Sequence, residues 1–247
     1  MRGLGYRPDA HDPHAPRYGL PSSALVLPDT LDLTEHAPDV KDQAVSESCV
    51  GVGLANVAYG KQSLEGLVAV YPSPGFIWWN SRKRHGDEEL NVGTYPSVAI
   101  QTFNDLGLCP ESDWPIRDIA WRFAERPDGI CYTHAYDTRF EVRSLLLDAE
   151  RQQVKSAMVT HGPLAFGMPV HEGYVDLGAH DVVRGPVGAP RGNHYQAVFG
   201  YDAEGLYVQG SWGRYWGNAG WAKISWDYFL DVASDVACFK FMPRVGD

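Results

Sequence analysis

The 247-residue chain has few of the features that direct a protein to a membrane or a nucleic acid. No apolar run approaches the roughly 20 residues that a membrane-spanning helix needs. The N-terminal sequence MRGLGYRPDA also lacks the apolar core of a secretory signal. Positive charge is scarce, since 21 Lys and Arg against 31 Asp and Glu give a formal net charge of -10. We therefore expect no membrane and no nucleic acid as a partner, and a cytoplasmic location.

Cysteine is also scarce: the chain has four, namely Cys49, Cys109, Cys131 and Cys238. If one of them is a reactive thiol, the other three cannot all form disulfides within the chain, which favours a reducing compartment. The remaining composition is that of an ordinary globular protein, with 44% hydrophobic and 12% aromatic residues. This content is enough for a packed core.

The histidines do not form a recognisable metal-binding pattern. His11 and His14 lie in a Pro-rich segment, while His171, His180 and Asp181 lie in or near a later strand. A structural metal site needs about four fixed ligands, and neither group has suitable spacing. We predict no metal and no cofactor.

One cysteine lies where a helix begins. The sequence KDQAVSESCV at residues 41–50 leads into an apolar segment with Val50, Leu54 and Val57 at helical spacing, which predicts a helix from about residue 48 to residue 65. Backbone N–H groups in the first turn of a helix have no partner within it, and the helix dipole is positive there. Such a position stabilises a thiolate and lowers the pKa of Cys49, which makes it a candidate nucleophile. The alternative is that Cys49 is a small buried hydrophobic residue.

Two further residues support a reactive thiol. The side-chain amide of Gln43, just before the predicted helix, can join the Cys49 N–H in binding an oxyanion. The sequence GNHYQAVFGYD at residues 192–202 places His194 at the start of a strand, and QGSWG follows at 209–213. A histidine that is distant in sequence but folds next to the thiol would supply the base that the nucleophile needs.

Together these motifs resemble the papain family of cysteine peptidases, from about residue 27 to the C-terminus. The resemblance implies that Gln43, Cys49 and His194 are catalytic. It also implies that Trp212 shields the histidine and contributes to substrate binding.

The chain departs from the family pattern at three places. The family's Asn-Ser-Trp-Gly is Gly-Ser-Trp-Gly here, so Gly210 replaces the Asn that orients the histidine. We therefore expect reduced activity and higher turnover in Gly210→Asn. A water above Gly210 is expected to supply the missing hydrogen bond. Of two adjacent glycines that pair with the substrate backbone, Gly93 is kept and Thr94 replaces the second, which narrows the cleft. The resemblance also implies that a disulfide near the catalytic cysteine is missing, since its positions match Ser46 and Asn91.

The resemblance implies an α+β fold: a papain-like two-lobed fold with a helical half, an antiparallel β-sheet half and the active-site cleft between them. We expect an extended N-terminal arm over residues 1–26 and a peptidase domain over 27–247, whose helical half is about 44–135 and whose strand-rich half is about 136–247 plus 27–43. Local patterns predict a helix or an aromatic-rich turn over 76–82, an irregular crossover over 117–139 and a helix over 144–161. They also predict a hairpin of 195–201 and 205–212 that sets Gly210 across from His194, and strands over 224–229 and 238–241.

The sequence therefore predicts a papain-like cysteine endopeptidase, a thiol protease that cleaves a peptide or protein substrate through Cys49 and His194. One alternative is a catalytically impaired module that binds a peptide or protein partner in the same cleft. Another is an amidase or transpeptidase acting on cell-wall peptides. GYRPD at residues 5–9 and GLCPESDWP at 107–115 resemble a bacterial or phage-like branch of the family, which leaves virion association open. The sequence carries no signature of oligomeric state.

Overall fold

The computed structural model describes residues 2–21, 25–138 and 140–243. The helices are α1 (Cys49–Leu64), α2 (Pro74–Lys83), α3 (Pro96–Leu106), α4 (Ile116–Ile119), α5 (Gly129–Asp137), α6 (Arg151–His161), α7 (Glu172–Val175) and α8 (Trp226–Val232). The strands are β1 (Leu31–Asp32), β2 (Phe140–Leu146), β3 (Leu164–His171), β4 (Val182–Val183), β5 (Pro190–Tyr201), β6 (Gly205–Gln209), β7 (Trp221–Ser225) and β8 (Ser234–Pro243).

The strands form one sheet in the order β2-β8-β3-β5-β6-β7-β4, with β1 paired to β5 beside this path. The pairs are antiparallel except for β4 with β7. With helices α1, α2 and α3 in one half and this sheet in the other, the α+β fold expected from the sequence is confirmed.

Strand β5 lies between two cores and is buried on both faces. Side chains of a strand alternate between its faces, and Tyr195, Ala197 and Phe199 join a cluster with the apolar side of α1. Val198 joins the core of the strand-rich half instead. The residues of β5 from His194 onward are therefore all buried.

Two glycines bring α1 close to β5. A β-carbon on Gly53 would lie 3.0 Å from the Tyr195 ring, and one on Gly60 would lie 2.6 Å from the Phe199 ring. Because neither glycine has a side chain, the helix backbone approaches the strand closely, and the two elements run in the same direction. This packing places the start of α1, with Cys49, beside the start of β5, with His194.

The helical half has a core of its own around Phe76 and Trp114. Helix α2 begins where the Ser73 hydroxyl accepts a hydrogen bond from the Phe76 N–H at 3.0 Å, with Pro74 in the first turn. Ser73 also donates to the Trp114 carbonyl at 2.5 Å, which joins the helix to the loop after α3.

Three predictions from local pattern are wrong. Residues 144–146 belong to β2, because Leu145 and Leu146 pair with Cys238 and Ala237 of β8, and this tertiary pairing overrides the helical pattern. Residues 226–229 form α8 and not a strand, since Ser225 caps the helix by accepting from the Tyr228 N–H. The crossover predicted over 117–139 contains helix α5, which its irregular pattern did not predict. Arg139, the last residue of that range, lies outside the described residues.

In the described part of the chain, no helix has the length and apolar character that a membrane span requires.

Candidate active site

Cys49 is the first residue of α1 and is completely buried. Ser48, at the N-cap, makes no capping hydrogen bond with its side chain, and its hydroxyl lies 2.8 Å from that of Ser46. The Cys49 N–H lies in the first turn and so has no acceptor within the helix. Cys49 belongs to the same buried cluster as Tyr195, the residue that follows His194 in β5. The fold thus makes neighbours of the predicted nucleophile and the segment that carries the predicted base.

His194 lies at the buried start of β5, under the ring of Trp212. The two rings are stacked, with centroids 4.2 Å apart and planes inclined by 20°. The Nε2 atom of the imidazole lies 3.3 Å from the Ser211 hydroxyl. The Nδ1 atom is buried and makes no hydrogen bond to any described residue, which leaves its lone pair or proton free for chemistry.

The side-chain amide of Gln43 is fixed from both ends. Its Nε2 atom donates to the carbonyl oxygens of Leu4 at 3.0 Å and Ser46 at 2.6 Å. Its Oε1 atom accepts a hydrogen bond from the Ser211 hydroxyl at 2.5 Å. Ser211 therefore bridges Gln43 and His194. The sequence analysis missed this residue, although it lies within the GSWG motif.

The surroundings of Gly210 differ from those predicted. The pairing of β5 with β6 ends where Ala197 faces Gln209, so Gly210 does not come to lie across from His194, and Trp212 lies against the imidazole instead. A β-carbon on Gly210 would lie only 2.3 Å from the ring of Trp216. The space predicted to hold a water above Gly210 is therefore occupied by the Trp216 ring.

Residues 3–9 lie along the groove between the two halves. Gly3 donates its N–H to the Ala44 carbonyl at 2.8 Å. The carbonyl of Leu4, the residue after Gly3, accepts hydrogen bonds from the Cys49 N–H at 3.2 Å and from the Gln43 side-chain amide at 3.0 Å. A carbonyl of the chain itself thus lies in the place expected for an oxyanion.

Gly93 and Thr94 line the same groove beside this segment. Thr94 donates its N–H to the Gly5 carbonyl at 3.0 Å and accepts from the Arg7 N–H at 3.1 Å. A β-carbon on Gly93 would lie 2.0 Å from the Gly5 carbonyl oxygen, so only glycine permits this approach. Both residues meet an extended backbone, and the Thr94 hydroxyl is buried without a partner among the described residues.

Tyr6 is buried against the sheet beside the groove. Its hydroxyl donates to the Asp235 carboxylate at 2.6 Å and lies 2.8 Å from the Ser234 hydroxyl. Its ring packs against Tyr195, with centroids 5.5 Å apart. A β-carbon on Gly167 would overlap that ring, at 2.0 Å from its nearest atom, so a glycine in β3 makes room for it.

Burial changes the protonation of both reactive side chains. The pKa of the Cys49 thiol is raised by desolvation, which outweighs the nearby backbone N–H groups that act in the opposite direction. Desolvation also lowers the pKa of His194 to about 3. The expectation of a lowered thiol pKa at the helix start is therefore wrong for this structure, because the thiol is completely buried and water does not solvate its charged form.

Hydrogen bonds hold the loop before Cys49 where the resemblance implied a missing disulfide. Asn91 accepts from the Glu47 N–H at 3.0 Å and donates to the Val45 carbonyl at 3.1 Å. All four cysteines are free and buried. Within the described ranges, no group of three or more His, Cys, Asp or Glu side chains is arranged to hold a metal ion.

Comparisons with known proteins agree with this architecture. The family model for papain family cysteine proteases matches residues 83–238, a range that includes His194. Over the whole fold the chain is similar to xylellain, a cysteine protease from Xylella fastidiosa, with a TM-score of 0.86, 25% identity, and coverage of 98% of this chain and 97% of that one.

Two relatives are similar in sequence as well. An uncharacterized peptidase C1-like protein of Acanthamoeba polyphaga mimivirus is 25% identical over 213 residues, 78% of this chain and 67% of the relative. A gut-specific cysteine proteinase of Caenorhabditis elegans is 22% identical over 214 residues, 75% of this chain and 63% of the relative. With a family match over more than half of its length, and with the two-lobed fold described above, this chain belongs to the papain family of cysteine proteases.

Proposed function

We propose that this protein is an endopeptidase that cleaves peptide bonds with Cys49 as nucleophile and His194 as general acid and base. The carbonyl of Leu4 carries this proposal, because it occupies the position that a substrate carbonyl would take. It accepts hydrogen bonds from the Cys49 N–H and the Gln43 side chain, which are the two donors expected for an oxyanion hole. A groove that already binds an extended backbone supports a peptide or protein as substrate.

The reaction follows from the placement of these groups. His194 takes the thiol proton on Nδ1, and the Cys49 sulfur attacks the substrate carbonyl carbon, whose oxygen becomes an anion held by the Cys49 N–H and Gln43 Nε2. Collapse of this intermediate breaks the C–N bond, and the imidazolium gives its proton to the departing amine. A water, deprotonated by His194, then attacks the thioester carbon. The C–S bond breaks, the acid product leaves, and the imidazolium returns its proton to the Cys49 sulfur.

A second candidate function is peptide binding without cleavage. It is favoured by the raised pKa of the Cys49 thiol and by the complete burial of that side chain. A thiol that stays neutral is a weak nucleophile, so a groove of this kind would bind an extended chain and leave it intact.

Covalent labelling separates the two candidates. The folded protein is treated with a peptidyl epoxide that alkylates thiols, and the modified residue is located by mass spectrometry. Endopeptidase chemistry predicts selective modification of Cys49 and its loss in His194→Ala. His161→Ala is the matched control, since His161 lies in α6 and contacts Tyr18; this variant should be labelled like the native protein.

Slow and equal labelling of all four cysteines, unaffected by His194→Ala, would instead support the binding module. Cleavage of a labelled unfolded protein such as casein by the native protein, and not by Cys49→Ala, is the corresponding activity test.

A further inference from the structure

The hydrogen bonds around Ser211 determine which nitrogen of His194 carries the proton. The Gln43 amide donates to two carbonyl oxygens through Nε2, so its orientation is fixed and Oε1 must be an acceptor. A hydroxyl has one proton, and Ser211 uses it to bind Gln43 Oε1. Toward His194 the hydroxyl can then only accept, which requires a proton on Nε2.

We infer that Ser211 is the positioning residue for His194 and takes over the role of the missing Asn. By accepting from Nε2–H it leaves Nδ1 unprotonated and free to receive the thiol proton. Ser211 also connects the base to the oxyanion-binding amide of Gln43, so one hydroxyl holds both groups. The catalytic role of Ser211 rests on the proposed function. The predicted tautomer of His194 rests only on the hydrogen bonds and does not depend on that function.

The packing around position 210 explains why the orienting group has moved by one residue. The Trp216 ring occupies the space beside Gly210, and its indole N–H is held by the Tyr174 carbonyl at 2.9 Å. A side chain at 210 has no room, whereas Ser211 is buried next to the imidazole.

Nitrogen-15 NMR of the histidine side chains tests the tautomer directly. In the native protein we expect His194 to be protonated on Nε2 only, and Ser211→Ala should give a mixture of both tautomers. The rate of Cys49 alkylation by iodoacetamide should fall by about 10- to 100-fold in Ser211→Ala, the usual effect of losing a group that orients a functional histidine. Ser211→Thr, which keeps the hydroxyl, should retain the Nε2 tautomer and most of the rate.

Ser81→Ala is the matched control, because Ser81 is also buried and donates to a backbone carbonyl at 2.6 Å, but within α2. An unchanged tautomer in Ser211→Ala would overturn the inference. A third outcome is that the tautomer changes in Ser211→Ala while Cys49 is alkylated very slowly in both the native protein and the variant. Ser211 would then still be the orienting group for His194, and the proposed thiol chemistry would be contradicted.

Discussion

Single residues set the geometry of the histidine, and Gly210 is the most informative of them. Its backbone lies against the ring of Trp216. That ring meets the Trp212 ring edge-on, with centroids 5.2 Å apart, and the Trp212 ring is stacked on His194. Any side chain at 210 must displace this set of aromatic rings. The glycine is therefore part of the packing that positions the imidazole, not a simple loss of an orienting group.

Gly210→Asn is expected to destabilise the protein and not to raise turnover. Forcing extra atoms into a packed core costs about 1–3 kcal/mol, and the free energy of unfolding in urea should fall by this amount. Gly185→Asn is the control, because nothing lies near its β-carbon position. Higher turnover in Gly210→Asn with unchanged stability would mean that the Trp216 ring yields easily and that an Asn can still orient His194.

At the scale of elements, close approach of backbones decides where Cys49 lies. Gly53 and Gly60 let α1 press against β5, and on another side of α1 a β-carbon on Gly51 would lie 2.5 Å from the Pro74 carbonyl at the start of α2. The two glycines nearest the start of α1 serve helix packing in this structure. They hold the helix that carries the nucleophile between the sheet and α2.

Gly51→Ala should therefore destabilise the fold although alanine favours a helix. Alanine gains about 0.5–1 kcal/mol over glycine within a helix, but overpacking against a backbone carbonyl costs more, so we expect a net loss of about 1–2 kcal/mol in urea unfolding. Gly129→Ala in α5, with open space around it, should be neutral or slightly stabilising. A stabilised Gly51→Ala would show that α1 and α2 can separate without cost.

For the whole molecule, the buried site makes stability depend on pH. Burial lowers the pKa of His194 to about 3 from its ordinary value of 6.5, so between these pH values the unfolded chain binds a proton that the folded protein does not. Stability must then rise with pH through this window and be lost as the pH falls. At alkaline pH the sign reverses, because burial raises the pKa of Cys49 and only the unfolded chain releases the thiol proton easily.

Urea unfolding at pH 4, 5.5 and 7 is expected to show a loss of several kcal/mol toward acid, since each pKa unit corresponds to about 1.4 kcal/mol. His194→Gln should remove a large part of this dependence. His161→Gln should remove less, because His161, with a pKa lowered to about 4, is only partly buried. An equally steep acid dependence in His194→Gln would show that His194 is accessible to water in the folded protein.

The family and the α+β class predicted from the sequence alone are confirmed. The roles of Gln43, Cys49 and His194 stay predictions, made from residue type and from local patterns that lead into one helix and one strand. Local pattern failed at residues 144–146, which pair with the distant strand β8. It also failed after Ser225, where a side-chain cap that spans three residues begins a helix in place of the expected strand. Helical and strand patterns of short segments are similar, and only the neighbour in the sheet decides between them.

The tertiary structure alone decided the state of the site. That Ser211 takes the place of an Asn depends on the ring of Trp216, which is five residues away in the chain and pressed against Gly210. That Leu4 lies in the groove depends on contacts with Cys49 and Gln43, dozens of residues later. Composition and spacing predict which groups can react, but whether water, substrate or the chain's own N-terminal segment reaches them is set by long-range packing.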